Sequence, residues 1–315
     1  MKRRRRPSLA RILRRVVMAC LPLGLAGAAE AGYDEGVAAL EARDARAAIA
    51  QFEAGIADGD MASANALGEV FFFGVGVEPE LERACDLFES AAHTGHMVAQ
   101  HNIATCYFQG AGRPRDYEQS LYWYQLAANQ GSLKSMCAAG NQYEAGLGVA
   151  RDKALGSSLC LRAATAGDAD AQADMGERYL KTEDYAGAVE WLARAAAQDH
   201  PRAATILGLM YDRGMGVEAD SERAFHWLER AARAGNDRAF AFLGGLSMKA
   251  ATGPEDREKV EDALVWYVLA AAYHPDAETR LATQGLVDDL AALAPELVPA
   301  AEARVEAWKA DRPAF

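Results

Sequence analysis

Three sets of residues in this chain have the types and spacing to do chemistry. Gly-x-Gly pairs stand at Gly74/Gly76, Gly110/Gly112, Gly146/Gly148 and Gly214/Gly216, and such backbone can cradle a phosphate. A phosphate cradle needs a strand before the glycines and, in a P-loop, Gly-Lys-Ser/Thr after them. Neither is present, so the pairs read as turns. His93, His96 and His101 are the one histidine cluster. They have the nitrogens for a metal, but no second ligand group at the right spacing, and they read as a solvated segment between elements. The run Glu78, Glu80 and Glu82 reads as solvated carboxylates rather than a general acid–base pair. No His-Glu-x-x-His occurs, and no serine is followed three residues later by lysine, as zinc hydrolases and penicillin-recognising serine enzymes require. No catalytic residue, metal or cofactor is expected.

The elements that hold these residues follow from a period. A Leu-Gly step recurs at Gly68, Ala104, Gly140, Gly176, Gly208 and Gly244, spaced by 36, 36, 36, 32 and 36 residues. An Ala-Ala pair recurs in step from Ala91/Ala92 to Ala270/Ala271. A fixed period in this range marks a solenoid of stacked units. Each unit reads as two short helices. Gly68 and its equivalents remove a Cβ where helices pack closely, which offsets a propensity cost of about 1 kcal/mol. The Gly-x-Gly pair ends the first helix, Asp116, Asp152, Asp184 and Asp220 cap the second, and Gly95, Gly131, Gly167 and Gly235 stop it. The predicted fold is all-α, an α-solenoid of helix-turn-helix repeats.

The period sets the expected organisation. Residues 32–60 form a short capping repeat carrying Gly36, Asp44, Ala48, Phe52 and Gly59. Six repeats follow, at about 61–96, 97–131, 132–167, 168–199, 200–235 and 236–275. The fourth has a shortened turn around Lys181–Tyr185, and the sixth a longer one around Thr252–Arg257. Residues 276–315 read as amphipathic helices, split at Pro295 or Pro299, with Leu286, Leu290, Leu293, Val305 and Trp308 on their apolar faces. They are expected to cover the last repeat.

Residues 1–31 are different material. A basic run from Lys2 to Arg6, an apolar stretch from Val16 to Ala29 and an Ala-Glu-Ala ending at Ala31 match a secretory signal peptide cleaved before Gly32. The apolar run is shorter than the ~20 residues a membrane span needs, so no membrane insertion is expected after cleavage. Export by the general or the twin-arginine route stays open. Those residues hold eight of the 33 Lys+Arg and one of the 45 Asp+Glu, so the remainder would carry 25 basic against 44 acidic residues, about −19. Such a surface repels phosphate backbones and argues against nucleic acid as a partner.

Cys20 would leave with the leader, and Cys85, Cys106, Cys137 and Cys160 remain. An even count in an exported chain permits disulfides. With successive helices antiparallel, the start of one lies beside the end of the next. The pairings Cys85–Cys106 and Cys137–Cys160 are therefore geometrically allowed, with buried free thiols as the alternative.

The stretch Ala203–Gly235 carries Leu207, Gly208, Tyr211, Gly214, Gly216, Val217, Asp220, Ala224, Trp227, Ala231, Ala232 and Gly235. In this order the residues resemble the Sel1-like repeat family of the tetratricopeptide superfamily, over about residues 33–275. Ala104 in the glycine column, Phe88 and Cys160 near the Trp column and Ser247 in the Tyr column depart from the pattern. The shortened fourth turn looks like an ordinary tetratricopeptide turn. The resemblance implies an α-solenoid used as a protein–protein adaptor in bacterial envelope or signalling complexes. Some exported members restrain a membrane sensor kinase or support polysaccharide export, and some cysteine-rich secreted members have been assigned β-lactamase activity.

In stacked helical repeats the first helix of each unit lines the concave face. The positions one and four after the glycine column are Glu69/Phe72, Thr105/Phe108, Asn141/Glu144, Glu177/Leu180 and Leu209/Asp212. They are the expected partner-binding residues, with Phe72 and Phe108 either aromatic anchors or packing residues. The expected function is a periplasmic scaffold or regulatory adaptor binding a protein partner. The alternatives are a cell-wall or β-lactam-acting hydrolase and a polysaccharide-export support protein.

Overall fold

A computed structural model describes residues 30–253 and 255–311. Residues 1–29, nearly all of the expected leader, therefore lie outside the described residues. Among these the chain is all α-helix apart from one 3-10 turn, and successive helices pack in pairs. Contacts divide the chain into two compact units, one ending at Cys160 and one beginning at Leu161.

In the first unit, α1 (Glu30–Glu41) pairs with α2 (Ala45–Ala57), α3 (Met61–Phe73) with α4 (Leu81–His93), and α5 (Met97–Gln109) with α6 (Tyr117–Asn129). Next come α7 (Leu133–Ala145) and α8 (Lys153–Thr165), within which the division falls. In the second unit, α9 (Ala169–Lys181) pairs with α10 (Tyr185–Ala197), α11 (Pro201–Arg213) with α12 (Ser221–Arg233), and α13 (Ala239–Ala250) with α14 (Arg257–Tyr273). The chain ends with α15 (Ala277–Leu293), the 3-10 turn Pro295–Leu297 and α16 (Val298–Asp311).

Every helix from α2 to α12 is 13 residues long. Isolated helices of that length are marginal in water, so pairing must hold them. The glycine column makes the pairing close. A Cβ on Gly68 would lie 2.5 Å from Phe88 Cε1, and one on Gly208 would lie 2.8 Å from Leu228 Cγ. The Ala-Ala column packs in the cores: in the first, Ala91 and Ala92 join Leu67, Phe71 and Phe88. In the second core Ala231 and Ala232 join Leu207, Leu228 and Phe240.

The loop glycines do more than turn the chain. The first of each pair is the left-handed C-cap of its helix, as at Gly110, whose N–H donates to Cys106 O. The second lays bare backbone on the preceding repeat. A Cβ on Gly112 would sit 2.2 Å from Leu81 O at the start of α4, and one on Gly148 would sit 2.4 Å from the Tyr117 carbonyl carbon at the start of α6. In the second unit Gly216 meets Tyr185 in the same way. Each loop thus docks one repeat onto the one before it. The shortened turns use a non-glycine residue at positive φ instead, Arg43 (61°) and Glu183 (60°).

Asp116, Asp152, Asp184 and Asp220 each accept a backbone N–H in the first turn of a second helix. A second cap column stands at the first helices: Asp60, His96, Ser132, Asp168 and His200. His96 Nδ1 accepts from Ala99 N at 3.2 Å, and His200 Nδ1 from Ala203 N at 3.1 Å. Buried glutamines serve the same joints. Gln100 donates to Ala92 O and accepts from Gln130, and Gln172 repeats this with Ala164 O and Gln198.

At the C-terminal end α16 packs on α14. Trp308 lies edge-on to Trp266 at 5.0 Å, Phe240 stacks on Trp266 at 6.2 Å, and the Arg233 guanidinium lies 4.8 Å over the Trp308 ring. Arg304 reaches both Glu261 and Asp262. On α15 the apolar side differs from the expected one. Leu290 is buried, whereas Leu286 and Leu293 are 42% and 59% exposed, because Thr283 and Leu290 carry the face turned inward.

Two measurements test these joints. Gly95 has φ +92° with nothing within 4 Å of an added Cβ, so Gly95→Ala should cost only the left-handed backbone penalty of about 1–2 kcal/mol. Gly112→Ala adds overpacking of roughly 1–3 kcal/mol on the α4 backbone, and its urea midpoint should fall distinctly further. Equal midpoints would show that the loop contact carries nothing. The second test is acid. Burial lowers the His96 pKa below its ordinary value, against the opposing pull of Asp60, so folding favours the neutral ring whose Nδ1 can cap. The cap is intact above the ordinary value of about 6.5 and is lost as pH falls through the lowered folded value. His96→Asn, a cap that does not titrate, should match the parent at pH 7 and exceed it at pH 5 by about 1 kcal/mol. Parallel pH–stability curves would refute the cap's role.

Candidate functional site

The first helices carry the side chains left over from packing. In the first unit, Glu69 keeps partial exposure and Asn141 is exposed. Glu69 Oε1 accepts from Asn65 Nδ2 at 3.0 Å and from Asn102 Nδ2 at 3.2 Å. Thr105 Oγ1 donates to His101 O at 3.0 Å and lies 3.0 Å from the Tyr124 hydroxyl. Burial raises the Tyr124 pKa, opposed by that bond to Thr105. In the second unit Leu209 is partly exposed. Glu177 faces Arg202, whose Nε lies 3.0 Å from its Oε1, and Asp212 pairs with Lys249 at 2.7 Å.

Of the positions four after the glycine column, Phe72, Phe108 and Glu144 turn toward their own second helix. Phe72 is partly buried, its ring 6.1 Å from Phe88 of α4, and Phe108 lies 5.5 Å from Tyr117 of α6. Glu144 bonds Ser157 of α8, and Leu180 packs against the second core. None of these four stands free as an anchor. Residues four apart share one face of a helix, so these positions lie on the face of the glycine column, which packs on the paired helix. The exposed aromatic of α3 is the neighbouring Phe73, at 65%.

The histidines have separate tasks. His96 caps α5, His93 meets the Trp123 ring edge-on at 5.1 Å, and His101 Nδ1 lies 2.9 Å from Ser135 Oγ. No group of three His, Cys, Asp or Glu side chains among the described residues is placed to hold a metal ion. The cysteines do come together. Cys85 on α4 is joined to Cys106 on α5, fastening one repeat to the next, and Cys137 on α7 is joined to Cys160 on α8 within a repeat. All four are buried.

Two residues of the Glu69 network, Asn65 and Asn102, escape a reading based on columns, since they fall outside the shared positions. One signal was available: Asn65 is an uncharged polar residue inside the apolar run MASANALGEVFFF, four residues before Glu69. A polar residue on such a face must be satisfied internally, and an i, i+4 carboxylate is the nearest acceptor.

A family model described as Sel1 repeat matches residues 62–96, 98–132, 133–168, 169–200 and 201–236, each match spanning one helix pair. No curated protein matches the chain significantly. Among solved structures, a Sel1 repeat protein from Oxalobacter formigenes is 32% identical, with a TM-score of 0.57, over 69% of this chain and 66% of that one. The chain therefore spans just under two thirds of that relative. A protective antigen of uropathogenic Escherichia coli, c5321, is 23% identical over 94% of this chain and 73% of its own, with a TM-score of 0.46. The immunity protein Pa5087 from Pseudomonas aeruginosa is 20% identical over 68% of this chain and 76% of its own, also at 0.46. Five matched repeats, each a helix pair, together cover more than half of the sequence and show that this chain belongs to the Sel1 repeat family.

Proposed function

We propose that the protein is an exported, non-enzymatic scaffold or regulatory adaptor of the bacterial periplasm, holding a protein partner on its first-helix faces. The Sel1 repeat is a fold that mediates protein–protein interaction, and this reading adds compartment and surface. The observation that carries the surface is the exposure of one column. Most of each first helix is packed, as in α3, where Ser63 to Gly68, Val70 and Phe71 are buried, while Glu69, Thr105, Asn141, Glu177 and Leu209, one after the glycine column, keep solvent access. Two buried disulfides support the compartment, because such bonds persist where thiols are not kept reduced. The basic and apolar residues 1–31 supply the route. No described helix is long and apolar enough to cross a membrane.

Protein recovered from a periplasmic fraction should begin at Gly32 and should release peptides linked through Cys85–Cys106 and Cys137–Cys160 only when reductant is omitted. An intact leader or four free thiols would overturn the compartment. Photo-crosslinking residues placed at Thr105 and Leu209 should trap one and the same protein from the envelope, whereas one at Glu118, exposed on a second helix, should not. Equal trapping from all three positions, or none, would remove the assignment of the surface. Hydrolysis of peptidoglycan or of a β-lactam by the purified chain would replace the scaffold with an enzyme.

A further inference from the structure

Asn65 and Glu69 lie about one turn apart on α3, and Asn102 reaches them from α5 of the next repeat. Both amides donate to one carboxylate oxygen, Glu69 Oε1, and Asn102 Nδ2 also lies 2.9 Å from Asn65 Oδ1. Asn65 is 5% exposed and has no room to turn to water. Protein crowds Glu69 enough for burial to raise its carboxyl pKa, against the pull of the two amides and, more weakly, of Lys134. Glu69 nevertheless keeps part of its surface open. A carboxylate surrounded by protein yet reached by solvent lies in a recess.

Register supplies a contrast. Glu177 of the second unit holds the same column position, and there the chain provides a cation: Arg202 lies 3.0 Å from Glu177 and 2.8 Å from Asp174. At Glu69 the bonded partners are neutral amides. Amides orient an anion and favour it without cancelling its charge, so a partly desolvated carboxylate gains from a cation brought to it.

We propose that the Glu69 recess recognises a cationic side chain, lysine or arginine, of a partner polypeptide. Phe72, three residues on and partly exposed, offers apolar surface for the aliphatic stem of such a side chain. The net charge of −12 steers positive partners toward the protein. This inference rests on the scaffold reading and names the chemistry of its partner.

The test uses the full chain, labelled with nitrogen-15, and two blocked alanine-based hexapeptides, one with a central lysine and one with norleucine in its place. The lysine peptide should shift the side-chain amide signals of Asn65 and Asn102, more weakly in high salt, and the norleucine peptide should not. Glu69→Gln keeps the shape and an acceptor for both amides, and should weaken the lysine response at least tenfold without lowering the melting temperature. Glu177→Gln should leave it unchanged. Asn102→Asp, which adds a second carboxylate, should strengthen it, so the proposal does not depend on one variant folding. Equal responses to both peptides, or a lysine response that survives Glu69→Gln, would overturn it. If Thr105 and Leu209 still crosslink a partner while neither peptide acts at Glu69, the cation site fails and the scaffold stands. If the lysine peptide binds through Glu69 but no first-helix position traps a protein, the scaffold fails and the site stands.

Discussion

Close backbone approach is the constraint on which the rest of this structure depends. Thirteen-residue helices have little stability of their own, and the chain is poor in aromatic side chains, at 8%. It is held by helices near enough to bring small residues into contact. Gly68 under Phe88 and Gly208 under Leu228 set the spacing within a pair. Gly112 on Leu81 and Gly148 on Tyr117 set it between pairs. Each contact is one that a methyl group would fill, so the glycines act by what they lack. Dispersion between many such closely placed atoms is individually small and collectively large.

The same feature made the fold readable. Close approach leaves a small residue at a nearly fixed interval, 36 residues except where the turn after Gly176 is shortened. The shortened turn at Glu183 was visible as a shift of the period to 32, and the split of the C-terminal helices fell at Pro295. The columns were less informative about what each residue touches. The loop glycines read as turn formers, yet the second of each pair also docks a neighbouring repeat, a contact between residues such as Leu81 and Gly112 that no local pattern reports. The cap column that runs through His96 and His200 was hidden because histidine is not a usual cap. Leu286 and Leu293 show the reverse failure. Helical period alone placed them inside, but the inward face of α15 is decided by what α14 offers it, and Thr283 and Leu290 fit there.

Histidine at a cap has a consequence that aspartate and serine do not share. An imidazole that accepts at Nδ1 must carry its proton at Nε2, and at His200 that nitrogen faces Asp170 Oδ1 at 3.1 Å. One ring therefore ties a helix start to a carboxylate on the preceding first helix. The tie is specific for one tautomer. His93, His96 and His101 are close in sequence and could have been read as ligands, but capping, ring packing and a bond to Ser135 give each an individual structural task.

Specificity, by contrast, must come from positions the period leaves free. The column holding Glu69 also holds Thr105, Asn141, Glu177 and Leu209, five different environments on one scaffold. Packing asks little of these positions, so their side chains vary without disturbing the stack. Where two of them carry the same residue, the neighbours decide what it does. Arg202 answers Glu177 from the next first helix, and the carboxylate is spent within the chain. Asn65 and Asn102 answer Glu69 with neutral donors, and its charge remains available to a partner. Identical residues in identical register thus differ in the charge state of the groups bonded to them, a property that a repeat alignment averages away.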